Sequence, residues 1–325
     1  MFTRIFKSDY IFQFIFFIVT ALIIWIKAFI SADISYAPLN APLYDIIKWM
    51  LGNHLYLKIS LSFALLILQA LIFKRILSSN DLSPKNTLLP AFLYVVLMSS
   101  FGNFQNIQPL LFANLFIILG LQTIFNAYSK AESYEQIFNA ALMISIASQF
   151  YFPVFIFMFF IWLVLLIFSI LKWREWLISL LGFITPYLFL GCFYFLTDRL
   201  QNKLLDYRLF FKNINLQHPH LQVSHIIFLC ILALFFIIAL IVTSSRLSER
   251  SIFYRKKIIV LITFSILSIL SFIFAKDFFI FQLGLLFIPF SFFFANFIVQ
   301  IKKIILSEII YLIVFGSWLY IYLGI

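Results

Sequence analysis

Long apolar segments, separated by short polar ones, follow one another along the whole chain. We identify eleven of them, near residues 10–31, 54–73, 88–101, 108–126, 136–150, 153–171, 176–196, 223–243, 258–275, 278–298 and 306–323. A helix that crosses a bilayer needs about 20 apolar residues. The pattern predicts an all-α fold, a polytopic transmembrane helix bundle of about 11 spans (about 9 to 13) that forms a single integral membrane domain over residues 1–325.

The composition excludes two other classes of protein. Hydrophobic residues make up 64% of the chain and charged residues 11%, whereas a soluble domain averages about 45–50% apolar and a quarter charged residues. A water-soluble enzyme is therefore excluded. Barrel strands alternate apolar and polar residues, but residues 155–170 are almost unbroken in their apolar character, so the spans are predicted to be helices.

Lysine and arginine are unevenly distributed over the predicted loops. With the N-terminus in the cytoplasm, 15 of the 23 cations fall on the cytoplasmic side, where short basic loops are retained. We therefore predict a cytoplasmic N-terminus and a C-terminus on the opposite side. Membrane topology accounts for the net charge of +11, so the expected partners are membrane lipids and no nucleic acid.

The first outer loop, residues 32–53, combines two carboxylates with an amphipathic pattern. Pro42 suits a first helical position and Gly52 the position after a helix end, and apolar residues recur between them with helical spacing. We predict a short amphipathic helix in the membrane interface. Asp33 and Asp45 are candidate catalytic bases for a hydroxyl acceptor, or candidates for a metal ion that steadies a phosphate. The alternative is that Asp45 pairs with a neighbouring lysine and Asp33 is simply solvated.

The second outer loop, residues 197–222, is long and basic, and cations and histidines accumulate in it: Arg199, Lys203, Arg208, Lys212, His218 and His220, with His225 just beyond. Arginine forms bidentate hydrogen bonds and lysine offers a point charge, so the four cations and His218 are candidates for binding a lipid pyrophosphate. Anionic lipid headgroups are the alternative ligands. The histidine spacing matches no zinc motif, and we predict no metal and no cofactor.

Neutral polar residues cluster between the third and fourth segments and continue into the neighbouring ones: Asn103, Gln105, Asn106, Gln108, Asn114, Asn126, Asn139 and Gln149. They could line a hydrated cavity that binds sugar hydroxyls, with Asn103 and Gln105 as substrate-binding candidates. They could instead join helices through hydrogen bonds of about 1 kcal/mol each. No acidic residue lies in the middle of a predicted span, which argues against a proton-coupled transporter.

Six short runs are similar to those of a known family: LPAFLY at 89–94, NLF at 114–116, IFNA at 137–140, YFP at 151–153, WREWL at 173–177 and GFITP at 182–186. In these runs the chain resembles an uncharacterised family of Bacteroidota inner-membrane proteins, and the resemblance covers most of the chain. It implies a multi-pass protein of the bacterial inner (cytoplasmic) membrane, in which the orientation predicted from the cations places the N-terminus in the cytoplasm and the C-terminus in the periplasm. It implies no catalytic residues.

The arrangement of spans and outer loops also resembles membrane glycosyltransferases of the GT-C architecture, which use polyprenyl-phosphate sugar donors. Those enzymes carry an acidic residue in the outer loop after the first span, the place of Asp33 or Asp45 here. The resemblance implies an enzyme that acts on or binds a lipid-linked, polyprenyl-phosphate glycan at the outer face, with the basic loop at the phosphate. The alternative hypothesis is a non-enzymatic subunit or scaffold of a cell-envelope assembly complex, whose partners are other envelope proteins.

Overall fold

The computed structural model describes residues 11–31, 41–52, 54–84, 87–100, 105, 107–128, 133–212, 223–274, 279–301 and 316. Within these ranges the chain is all-helical and contains twelve α-helices. They are α1 (Ile11–Ser31), α2 (Pro42–Leu51), α3 (Leu55–Ser79), α4 (Leu89–Met98), α5 (Pro109–Ala127), α6 (Tyr134–Phe150), α7 (Phe157–Ile167), α8 (Trp173–Leu196), α9 (Leu200–Lys212), α10 (Val223–Ser245), α11 (Ile252–Leu270) and α12 (Phe279–Gln300). Short 3₁₀ turns at Phe152–Ile156, Leu247–Glu249 and Ser271–Phe274 flank α7, α11 and α12.

Seven of these helices, α1, α3, α5, α8, α10, α11 and α12, are long and apolar enough to cross a membrane. Helices α4 and α7 are apolar but shorter, and α6 has 17 residues. Each of the first ten apolar segments of the sequence forms a helix, whereas segment 306–323 lies outside the described residues except at Gly316. The all-helical fold class is thus confirmed for the described ranges, while the count of about 11 spans stays a prediction.

Helix α4 lies at the centre of the bundle and is buried along its whole length. Its ten residues extend over about 15 Å, half the thickness of a bilayer core. Pro90 stands in its first turn, where proline costs no hydrogen bond. Beyond its C-terminal end, the indole Nε1 of Trp25 in α1 donates a 2.9 Å hydrogen bond to Oγ of Ser99. The short segment is therefore a core element enclosed by other helices.

A buried polar network joins α4 to three neighbours. The hydroxyl of Tyr94 donates to Oε1 of Gln69 in α3 at 2.8 Å, and Nε2 of Gln69 donates to the carbonyl of Leu111 in α5 at 2.7 Å. Nδ2 of Asn114 donates to the carbonyl of Gly284 in α12 at 3.2 Å. Such bonds satisfy polar groups that would otherwise be unpaired in an apolar interior. Of the two interpretations of Asn114, the structure supports the one in which it joins helices.

Lysine contacts bring several loops together at one end of the bundle. Nζ of Lys257 donates to Oδ1 of Asn80, just after α3, at 2.8 Å. Nζ of Lys256 donates to Oγ of Ser169, between α7 and α8, at 3.1 Å, and lies over the ring of Tyr128. We call this the basic end, and we call the opposite end, where α8 finishes, the cleft end. The side of the membrane that each end faces stays a prediction.

Candidate functional site

An open cleft of about 890 Å³ occupies the cleft end, between α2, α6, α8 and the start of α9. Most of its lining is apolar, and six polar side chains face it: Asp45, Gln149, Thr185, Tyr194, Arg199 and Lys203. The cleft therefore combines residues of the first predicted outer loop with residues of the second. A group of opposite charges at the mouth of an apolar cleft is suited to an amphiphilic ligand with a polar head.

Helix α2 holds Asp45 at the cleft. The helix begins with Pro42 and ends at Gly52, whose φ of 50° lies in the left-handed region. The buried Tyr44 fixes it to the bundle: its hydroxyl donates to the carbonyl of Ile107 at 2.9 Å, and its ring contacts Phe112. The helix predicted over these residues is present, whereas its place in the membrane interface stays a prediction.

Helices α6 and α8 form the apolar wall of the cleft. They touch at Gly182, where a Cβ would lie 2.5 Å from the carbonyl oxygen of Phe138. From there towards the cleft end, Pro186 interrupts the hydrogen bonds of α8 because proline has no N–H. Phe189 and Phe193 follow, with 74% and 57% of their side-chain surface exposed. This apolar wall is therefore open to the outside of the bundle.

A tight turn between α8 and α9 positions the two cations. Asp198 adopts a φ of 54°, and the N–H of Arg199 donates to the carbonyl of Tyr194 at 3.0 Å. This is the pattern of a Schellman motif, which ends a helix and redirects the chain. The N–H of Lys203 then donates to the carbonyl of Arg199 at 3.1 Å. The two cations are therefore one helical turn apart on the same face of the chain.

The charges at the mouth of the cleft act on one another. Nζ of Lys203 lies 3.6 Å from Oδ2 of Asp206 and 5.8 Å from the centre of the Tyr194 ring. Burial raises the pKa of Asp45, while the positive charges of Lys203 and Lys48 oppose that rise. The carboxylate of α2 and the ammonium of α9 thus interact electrostatically although they come from distant parts of the sequence.

Gln149 contributes an unpaired hydrogen-bond donor to the cleft. Its side chain is 3% exposed, and among the described residues its Nε2 has no hydrogen-bond partner. An unpaired buried donor costs about 1–3 kcal/mol, which a ligand acceptor in the cleft would recover. The polar residues in the spans were expected either to line a cavity or to join helices, and for Gln149 the geometry favours a contact with a ligand in the cleft.

Other candidate residues lie elsewhere. Arg208 is exposed and does not line the cleft, because five residues beyond Lys203 it points to another side of α9. Gln105 is buried and its Nε2 donates to the carbonyls of Ile24 and Ser99, so it joins α1 to the end of α4. Residues 200–212 of the basic outer loop predicted at 197–222 form helix α9, whereas the outer position of this loop stays a prediction.

Several predicted residues cannot be placed. Asp33, Asn103 and His218 lie outside the described residues, as does the side chain of Lys212. Within the described ranges, no group of three or more His, Cys, Asp or Glu side chains could hold a metal ion.

Three polar residues of the cleft, Gln149, Thr185 and Tyr194, were not among the predicted site residues. Gln149 was one of the polar residues considered for a cavity, and the sequence carries a signal for both Gln149 and Tyr194. Gln149 follows Leu142 and Ile146 at helical spacings of seven and three residues, so all three lie on one face of α6. Tyr194 lies in the last turn of α8, next to the polar segment that carries the cations. A search for polar residues at the ends of apolar helices would have found them.

The fold and the cleft define a class: a polytopic helical membrane protein with a charged, apolar-walled cleft at one end. The chain belongs to a family of unknown function, DUF6427, whose model matches residues 52–324. The expectation of an uncharacterised family is thus confirmed. The matched region contains Arg199 and Lys203, whereas α1 and Asp45 precede it. No curated protein and no solved structure matches the chain.

Proposed function

We propose that this chain is a bacterial inner-membrane protein of GT-C-like architecture that binds, and acts on, a polyprenyl-phosphate-linked glycan at the outer face of the membrane. One observation carries the proposal: Asp45, Arg199 and Lys203 line the same open cleft, and most of the rest of its wall is apolar. Such a combination suits a ligand with a long apolar chain, an anionic phosphate and a hydroxyl-rich head.

In this proposal, the two cations of the cleft bind the phosphate of the ligand. The guanidinium of Arg199 matches phosphate oxygens in a bidentate arrangement, and Lys203 adds a point charge one turn away. The unpaired Nε2 of Gln149 supplies a further donor inside the cleft. The isoprenoid chain would lie along Phe189 and Phe193, where apolar contact with protein and lipid replaces contact with water.

In this proposal, Asp45 is the general base of the glycan transfer. Its carboxylate accepts the proton of an acceptor hydroxyl, the hydroxyl oxygen forms a bond to the anomeric carbon, and the bond from that carbon to the phosphate oxygen breaks. Polyprenyl phosphate leaves with the electron pair, held by the two cations. A pKa raised by burial makes Asp45 a stronger base than a solvated aspartate. Asp33 is a second candidate for this role.

Binding is tested on the purified full chain with farnesyl phosphate as a short polyprenyl phosphate. We expect Arg199→Gln and Lys203→Gln each to weaken binding about tenfold, the effect of losing a charge-assisted contact. Arg208→Gln is the matched control, because it removes an exposed cation of α9 that does not line the cleft, and it should leave binding within about twofold. Farnesol has the same isoprenoid chain without the phosphate, so its affinity shows how much the phosphate contributes to binding. Equal binding of farnesol, or equal losses in all three variants, would contradict the proposal.

Turnover is tested separately with Asp45→Asn and Asp33→Asn. The proposal predicts that Asp45→Asn, or the double variant, keeps farnesyl phosphate binding but abolishes glycan transfer, measured as envelope glycans in cells at normal expression. Glu249→Gln, at the basic end, is the control for loss of an acidic residue away from the cleft. If the double variant still binds farnesyl phosphate and the envelope glycans of the cells do not change, the enzymatic function is excluded. Recovery of other envelope proteins with the full chain in mild detergent would then support the scaffold hypothesis.

A further inference from the structure

A second, smaller pocket of about 320 Å³ lies at the basic end of the bundle. The turn after α3, the start of α11 and the end of α12 enclose it. Helix α8 has 24 residues and runs from the basic end to the cleft end, a length of about 36 Å. The small pocket is therefore a site of its own, and it does not depend on the function proposed for the cleft.

The turn after α3 places a carboxylate in this pocket. The N–H of Leu82 donates to the carbonyl of Leu77 at 2.9 Å and the N–H of Asp81 to the carbonyl of Ser78 at 3.4 Å. These bonds form a Schellman motif, and Asp81 occupies its left-handed position with a φ of 55°. Glycine is the least costly residue there. The aspartate at this position lines the pocket.

A cation faces the same pocket. Arg250 lines it beside the ring of Tyr254, with the guanidinium carbon 5.5 Å from the ring centre. A ligand in the pocket thus meets a positive charge on Arg250 and a negative charge on Asp81, which also interacts electrostatically with Lys257 beside the pocket. A simple anion would be repelled by Asp81, and a simple cation by Arg250. The pairing favours a zwitterion whose two charges are a short distance apart.

Buried polar atoms without partners point to a ligand in this pocket. Ser83 is 8% exposed, and neither its Oγ nor the buried Oε1 of Gln300 has a hydrogen-bond partner among the residues that the structure describes. The amide of Asn296, 6% exposed, also lines the pocket. The hydroxyl can donate, whereas the Gln300 oxygen only accepts. Donors and acceptors are therefore both available for the two halves of a zwitterion.

We propose that this pocket binds the phosphoethanolamine headgroup of a membrane lipid. The phosphate would accept hydrogen bonds from Arg250, Ser83 and Asn296, and the ammonium would donate to Asp81 and Oε1 of Gln300. The pocket lies at the ends of helices that are long enough to cross a bilayer, at the level where headgroups are found. Its volume suits a headgroup and leaves the acyl chains outside, against the bundle.

The test uses the delipidated full chain in detergent and water-soluble dihexanoyl lipids. We expect dihexanoyl-phosphatidylethanolamine to bind at least about tenfold more tightly than dihexanoyl-phosphatidylglycerol, which has the phosphate but no ammonium. Arg250→Gln should weaken phosphatidylethanolamine binding about tenfold. Arg246→Gln is the matched control, because Arg246 is exposed in the same turn and does not line the pocket. Equal losses in both variants would mean diffuse attraction and would overturn the proposal.

Asp81→Asn tests the ammonium half of the site. Asparagine tolerates the left-handed backbone, and the melting temperature without lipid shows whether the variant is folded. We expect the preference for phosphatidylethanolamine over phosphatidylglycerol to disappear, because the carboxylate that distinguishes them is gone. An unchanged preference would overturn the proposal. Glycerophosphoethanolamine, the headgroup without acyl chains, distinguishes the source: a much weaker affinity supports a lipid ligand, and an equal one contradicts it in favour of a soluble ligand.

Discussion

Gly182 of α8 lies directly against the backbone of Phe138 in α6, so closely that a Cβ on Gly182 would be 2.5 Å from the Phe138 carbonyl oxygen and 3.0 Å from Cβ of Ala141. Real Cβ atoms do not approach a backbone oxygen that closely, so only glycine fits here. The contact lies just below the cleft, whose walls are the next turns of the same two helices. It therefore fixes the spacing of those walls.

Gly182→Ala should consequently separate α6 from α8. Overpacking of this kind costs about 1–3 kcal/mol, and we expect a lower melting temperature in detergent together with weaker farnesyl phosphate binding. Gly191→Ala is the matched control, because Gly191 lies in the same helix and a Cβ added there would have no atom within 4 Å. At that position alanine should be neutral or stabilise the helix by up to about 1 kcal/mol. Equal effects of the two substitutions would show that the close contact does not matter.

Asp45 should make stability depend on pH. Its pKa is raised in the folded protein mainly because the surrounding protein removes part of the water from the carboxylate, so the folded state binds the proton more tightly than the unfolded state. The free energy of unfolding should therefore fall as pH rises from about the ordinary value of 3.8 through the raised pKa, and then level off. Thermal unfolding in detergent across this range measures it.

Asp45→Asn is the variant that isolates this effect. It should remove the component of the pH dependence that Asp45 contributes. At neutral pH it should be more stable than the unsubstituted protein, because partial loss of water costs an amide less than it costs a charge. The difference should shrink towards zero as pH falls to the ordinary pKa of aspartate. A constant difference at every pH would contradict this account.

Most of the helices follow from the sequence because apolar runs of this length have few alternatives in a membrane. Helix α2 was also predictable, since Pro42 and Gly52 mark its two ends. Helix α9 was not: six of its 13 residues are charged or polar, and such a mixed segment between two spans is typical of a loop. Its start depends on the Schellman turn at Asp198. The usual sequence signal for such a turn is a glycine at the left-handed position, and here that position holds an aspartate.

Single residues of the site could be predicted from the sequence, but their position around one cleft could not. Asp45 and Arg199 were recognised as chemically suitable because each lies in a polar segment beside an apolar one. That they line one cleft depends on the packing of α2 against α6 and of α8 against α6, which is a tertiary property. Arg208 has the same chemistry as Arg199 but lies on another side of its helix. Residue type alone could not separate the two.

Asp206 should weaken the cleft's affinity for anions. Its carboxylate lies 3.6 Å from the ammonium of Lys203, and that pair must loosen for Lys203 to bind a phosphate fully. Partly exposed ion pairs contribute about 0.2–1 kcal/mol, so Asp206→Asn should tighten farnesyl phosphate binding by a factor of about 1.4 to 5. Glu249→Gln, at the basic end, changes the net charge equally and should have no such effect. If both variants bind more tightly, net charge and not the pair is responsible.

Tyr94→Phe should be more costly than Tyr44→Phe. The hydroxyl of Tyr94 is fully buried and donates to Oε1 of Gln69, which would be left without that donor in an interior closed to water. An unpaired buried acceptor costs about 1–3 kcal/mol. The hydroxyl of Tyr44 donates to the carbonyl of Ile107 in a partly buried position, where water can replace it at about 0.5–1.5 kcal/mol. Melting temperatures of the two variants in the same detergent give the comparison. A larger loss for Tyr44→Phe would contradict the prediction, because it would mean that the hydrogen bond from Tyr44 contributes more to stability than the buried one from Tyr94.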